Sequence, residues 1–218
     1  LDRVRKAHIA IMNHKEFCAF SGVVACGSTN ITSDVPTAAT DGWNVKYNPD
    51  FIESHLKDDK HLRFVVLHEN MHKAYRHLHV WRALHKENAQ LANIAADTFS
   101  NTALVDADPD GNFIAMPDVG VKPDPECRGM SVKQIFDKLK QEAEDGERGT
   151  GGDSFDDHDW DNAQGESEQT AQERADEIGR ALRQGEMLRE KRQGSGAGGL
   201  SRLLDGAMQP KVDWRQVL

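Results

Sequence analysis

At 218 residues the chain can build one domain with a buried core and some appended segments. Its formal net charge of −9 and its 6% aromatic content exclude nucleic acid as the main partner, because phosphate contacts need clustered Lys and Arg and base stacking needs aromatic faces. The three cysteines, Cys18, Cys26 and Cys127, form no CxxC pair, which argues against a disulfide framework or a thiolate metal site. No run approaches the ~20 apolar residues of a membrane span, and no signal-peptide core opens the chain, so a cytoplasmic protein is expected. The chain lacks an initial Met and ends on what reads as the start of a helix, Val212-Asp213-Trp214-Arg215, as a piece of a longer product would.

In chain order, residues 3–20 carry Val4, Ala7, Ile9, Ile11, Met12, Phe17 and Phe20 at mostly three- and four-residue spacing, the pattern of an amphipathic helix. Ser21 to Asp34 is rich in Gly, Ser, Thr and Asn and reads as a loop. Asp41-Gly42, between two short β-prone runs, is a hairpin signal. Asn48-Pro49 offers an N-cap and a first-turn proline for a helix through about Leu56. A long helix is expected from about Lys60 to Leu84, since Phe64 to Ala83 holds neither Pro nor Gly, and a second from Glu87 to about Val105. Asp106 to Gly129 is broken by prolines and glycines, and Ser131 caps a helix through about Glu144.

Residues 145–165 are acidic and glycine-rich and hold too few apolar groups for a core. A charged helix from about Ser167 to Arg192 and the flexible run Gly194 to Gly199 follow.

The chemistry concentrates in Val65-Val66-Leu67-His68-Glu69-Asn70-Met71-His72. Residues four apart on a helix lie one turn above each other, so His68 and His72 point the same way and can hold one Zn²⁺ through neutral imidazoles. Glu69 is not a ligand in this pattern; it stands beside the activated water as general base. A catalytic zinc takes three protein ligands. His77 is turned by about 140° from His72 on a continuous helix, and the Gly that breaks the helix in HExxHxxGxxH is absent, with Leu78 at the position of that pattern's last His. His77, His79 and His85 therefore read as solvated or capping residues. Asp97, on the next helix among small residues, is the expected third ligand, with Asn93 one turn earlier placed to orient a ligand. The oxyanion donor stays open among Tyr75, Arg76 and His77. The run Asp153 to Asp161 permits three readings: a solvated linker, a Ca²⁺ site, or a flap that brings His158 over the zinc.

Four ordered motifs carry a resemblance: Thr37-Ala38-Ala39-Thr40-Asp41-Gly42, Tyr47-Asn48-Pro49, Leu67 to His77, and Asn93-Ile94-Ala95-Ala96-Asp97. Together they resemble the metallopeptidase domain of VWA-like metallopeptidases, bacterial and phage proteins frequently encoded beside MoxR-type ATPases. The likeness covers roughly residues 1–145 and resumes at Lys211-Val212-Asp213-Trp214-Arg215.

It implies a predominantly helical α+β fold: a zincin-like domain with a short β-hairpin or small sheet and an HExxH helix. The metal would be Zn²⁺, held by His68 and His72 with Glu69 catalytic, and Asp97 joins them as third ligand from the helix argument above. The organisation expected is a metallopeptidase domain over 1–145, an acidic loop over 146–165, a charged helix over 166–193, and a linker with the start of a helical segment over 194–218. The implied partners are a protein or peptide substrate and a VWA-like domain or MoxR-type ATPase, in a bacterial or phage-infected cell. No DxSxS motif is present in the 218 residues. The alternative is a module that keeps zinc for stability or binding, with little catalysis; Glu69 argues for catalysis, because a structural site needs no base between its ligands.

Overall fold

The computed structural model describes residues 2–146, 160, 167–193, 204 and 206–208. The acidic run other than Trp160, the glycine-rich 194–199 and the expected helix at 212–215 lie outside the described residues. Helices α1 (Asp2–Asn13), α2 (Ser21–Ala25), α3 (Pro49–His55), α4 (Asp59–Ala74), α5 (His77–Val80), α6 (Arg82–Glu87), α7 (Ala89–Ala107), α8 (Val132–Glu144) and α9 (Glu168–Gln193) surround a small sheet of β1 (Thr29–Ile31), β2 (Ala38–Thr40) and β3 (Val45–Tyr47). The fold is predominantly helical α+β, as the sequence implies. No helix among the described residues is long and apolar enough to cross a membrane.

Local chemistry sets most boundaries. Asn48 caps α3 by accepting from the amides of Asp50 and Phe51, with Pro49 in the first turn. Asn88 caps α7 through Leu91, and Ser131 and Gln134 form a full capping box on α8. The Asp41-Gly42 turn joins antiparallel β2 and β3: Gly42 has φ +89°, and the Asp41 carboxylate accepts from the amides of Trp43 at 2.8 Å and Asn44 at 2.6 Å.

Three expectations change. The first helix stops at Asn13, and Phe17–Phe20 continue as a 3-10 turn. The expected loop after Ser21 holds α2 and β1, which pairs parallel with β3, Thr29 opposite Val45. The sheet order β1-β3-β2 thus leaves β3 central, and β2 is the edge strand packed beside α4. The third change is the end of the motif helix, which breaks after Ala74 where Arg76 adopts φ +54°, ψ +39°.

From Phe64 to Ala74 every residue of α4 is buried, so the helix is the axis of the domain. On one side lies a core of Val4, Ile11, Phe17, Phe20, Val23, Tyr47, Leu62, Val66 and Met71; on the other, α6, α7 and α8 pack around Leu84, Ala95, Ile135, Phe136 and Leu139. The charged α9 is docked through Ile178, Ala181 and Leu182, and two glycines permit the approach. A Cβ on Gly22 would lie 2.8 Å from that of Ala181, and one on Gly185 would overlap the Ala19 carbonyl oxygen.

Candidate metal centre

Two helices build the centre. His68 and His72 project from successive turns of α4, and Asp97 comes from the facing turn of α7, where Ala92, Ala95 and Ala96 are buried and small enough for close packing. The Nε2 atoms of His68 and His72 are 3.1 Å apart; Asp97 Oδ1 is 3.6 Å from the first and 3.4 Å from the second. A regular tetrahedron with bonds of about 2.05 Å has edges of about 3.35 Å. The three atoms therefore form one face of a zinc-sized tetrahedron, and the donor set of two imidazoles and a carboxylate suits that metal. Exposure is 4% at His68, 0% at Glu69, 0% at His72 and 2% at Asp97, so any ion here is bound away from bulk water.

A second layer orients both imidazoles. His68 Nδ1 lies 2.7 Å from Asn101 Oδ1, while Asn101 Nδ2 donates to the Val121 carbonyl at 2.8 Å. That second bond fixes the amide, so its oxygen faces His68, Nδ1 of His68 carries the proton, and Nε2 presents a lone pair. On His72, Nδ1 lies 3.1 Å from Nδ1 of His77. With Nε2 of His72 kept for a metal, its Nδ1–H donates to His77.

Of the residues named from sequence, His68, His72 and Asp97 come together, with Glu69 between the two histidines. Others land elsewhere. His77 is 1% exposed and packs on His72, so it is neither solvated nor a cap. The left-handed turn at Arg76 swings it back against α4, which a continuous helix forbids. Asn93 orients no ligand; its Oδ1 accepts from Trp160 Nε1 at 2.5 Å, and the Trp160 ring stacks on His85 at 4.4 Å. The orienting asparagine is Asn101, one turn after Asp97 instead of one turn before, and its i+4 spacing was the available signal.

The remaining oxyanion candidates separate. Tyr75 packs edge-on to Phe99, and burial pushes its phenol well above the usual range, so it stays a donor. The Arg76 guanidinium lines a different pocket from the one that reaches His68. His158 lies outside the described residues.

Access runs through a cleft of about 30 Å³ lined by Phe51, Phe64, Val65, Met116, Pro117, Val119, Gly120 and Val121, with His68, Asp97 and Asn101 also on its wall. Its far side is the irregular segment after α7, held to α4 by Lys60 Nζ on the Gly111 carbonyl and Arg63 Nε on the Phe113 carbonyl. Glu69 and His72 do not line it.

Over residues 2–218 the chain matches the family described as "Putative metallopeptidase domain", and it belongs to that family. No curated protein and no solved structure matches the chain.

Proposed function

We propose that the protein is a zinc-dependent peptidase of the HExxH type, with a zincin-like arrangement of its centre. The observation that carries this reading is the triangle of His68 Nε2, His72 Nε2 and Asp97 Oδ1, whose edges of 3.1–3.6 Å suit one tetrahedral ion, with a buried carboxylate one residue after the first ligand. Family membership supports the same chemistry.

Zinc held there supplies Lewis acidity, which lowers the pKa of a water towards ~7 and polarises a peptide carbonyl. The chain supplies the rest. Asn101 and His77 hold the two imidazoles in the tautomers that leave Nε2 free. Glu69 accepts the proton of the attacking water and delivers it to the leaving amine. Buried beside the two histidines, it acts where solvent screening is weak. The apolar lining of the cleft beside His68 and Asp97 fits an apolar substrate side chain. A MoxR-type ATPase partner in the cytoplasm belongs to the same proposal and is tested by co-purification from the native cell.

The direct test is metal analysis of purified protein joined to a proteolysis assay on an unfolded protein substrate. About one zinc per chain is expected, with hydrolysis lost on chelation and restored by zinc. Protein purified without metal that takes up none on dialysis against zinc would overturn the reading.

A further inference from the structure

The left-handed turn at Arg76 places His77 behind the metal centre, but the Arg76 side chain itself points elsewhere, into a cavity that centre does not share. Arg76 is the only described non-glycine residue with positive φ, a costly conformation for a side chain with a Cβ. Its side chain lines a cavity of about 40 Å³ between the β2–β3 turn (Asp41, Gly42), α5 (Leu78, His79) and α9 (Arg174, Ile178). Such a volume holds about three waters, which is the space of a carboxylate or of a phosphate head.

Two guanidinium-bearing side chains, Arg76 and Arg174, and one carboxylate, Asp41, line this cavity. Arg76 is half-buried, and among the described residues its guanidinium has no hydrogen-bond or ion-pair acceptor; Asp176 acts on it only through space. Arg174 extends from α9 with its guanidinium 5.3 Å from the centre of the Trp43 ring. His79 is surrounded by positive charge from Arg76 and Arg82, opposed by Glu168. The one carboxylate on the wall, Asp41, is already engaged by the amides of Trp43 and Asn44 and by Asn44 Nδ2. Burying a guanidinium without an acceptor is unfavourable, and holding it there on a strained backbone compounds the cost.

We propose that this pocket binds a compact oxyanion, a phosphate or a carboxylate, gripped between Arg76 at the end of the motif helix and Arg174 on α9. Planar guanidinium forks suit such oxygens, and two of them facing one cavity allow one ligand to bridge two elements that are far apart in sequence. The site is separate from the zinc centre and shares no lining residue with the cleft there.

Calorimetric titration of the full chain tests the site, with inorganic phosphate as one probe and tetraglutamate peptide as the other, at an ionic strength fixed by chloride. Saturable binding of at least one probe is expected. Arg76→Asn and Arg174→Gln should each weaken it by at least about tenfold, since each removes a charge-assisted hydrogen-bond donor. Asn accepts left-handed backbone readily, so Arg76→Asn keeps the turn and should melt no lower than the parent. Should it melt lower, Arg174→Gln, within a regular helix, decides alone. Binding of phosphate only assigns a phosphoryl ligand, and binding of tetraglutamate only assigns a carboxylate. Mutual competition assigns one site open to both. No saturable binding of either probe by the parent, or undiminished binding by Arg174→Gln, overturns the proposal.

Discussion

Nδ1 of His77 stands 3.1 Å from Nδ1 of His72, although the two are five positions apart and no Gly or Pro lies between them. On a continuous helix the two rings would diverge by about 140°. The left-handed Arg76 closes that angle, so strain at one residue sets the imidazole that faces the metal centre. His77 is therefore an orienting residue for His72. His77→Phe keeps the ring packing against Phe99 and Tyr75 while removing the acceptor. It should weaken zinc binding by about tenfold or more in a chelator competition, the scale for a partner behind a ligand. Parent-like affinity in this variant would remove the role.

Asp97 differs in kind, because its carboxylate is within 3.4–3.6 Å of both imidazole Nε2 atoms. Asp97→Ala should lose more zinc affinity than His77→Phe, and His68→Ala and His72→Ala should lose bound metal altogether. Since ligand binding is coupled to folding, thermal unfolding of these three variants should cease to respond to added zinc. Full zinc occupancy in Asp97→Ala would end its assignment as a ligand.

The grouping of His68, His72 and Asp97 was legible because its information is local. The i, i+4 spacing of His68 and His72 and the small residues around Asp97 are readable without coordinates. What supports the centre was less legible. Asn101 and His77 gain their roles from tertiary contacts, with the Val121 carbonyl and with a backbone turn at Arg76 that no propensity announces. Strand β1 was missed for a related reason. Three residues cannot show an alternation, and Thr29–Ile31 is a strand only because β3 lies beside it. The capped helices α3 and α8 were legible throughout, since their signals lie in contiguous residues.

Glu69 has one proposed task, proton transfer, and its substitution isolates that task. Glu69→Gln preserves volume and should keep both zinc content and melting temperature close to the parent. Hydrolysis should fall by at least about a hundredfold, within the range general-base catalysis contributes. A variant that cleaves at the parent rate would take Glu69 out of the mechanism.

The docking of α9 can be tested at two glycines of the same helix. A methyl group on Gly185 would overlap the Ala19 carbonyl oxygen, so Gly185→Ala should destabilise the domain by about 1–3 kcal/mol in urea unfolding. At Gly179 an added Cβ meets only the Arg183 guanidinium at 3.5 Å, the movable end of a long side chain. Gly179→Ala should be neutral or stabilising by up to about 1 kcal/mol through helix propensity. Equal effects at the two positions would mean that α9 is not seated as described.

Acid sensitivity follows from His8, on the face of α1 near Lys73. Burial first, and the Lys73 charge second, lower its pKa from 6.5 to about 4, and its Nε2 has no hydrogen-bond partner among the described residues. Above pH ~6.5 the residue is neutral in both folded and unfolded chains and adds no pH dependence. Between about pH 6.5 and 4 the unfolded chain binds the proton and the folded chain does not, so stability falls as the pH is lowered through that window. Below about 4 both forms are protonated and the loss levels off. Ionisation elsewhere in the chain is common to parent and variant and cancels in a comparison. His8→Gln should therefore unfold with a shallower dependence than the parent between pH 6.5 and 4, measured by urea midpoints in chelator. A difference between the two proteins that stays constant across the window would show that His8 is not held neutral by the fold.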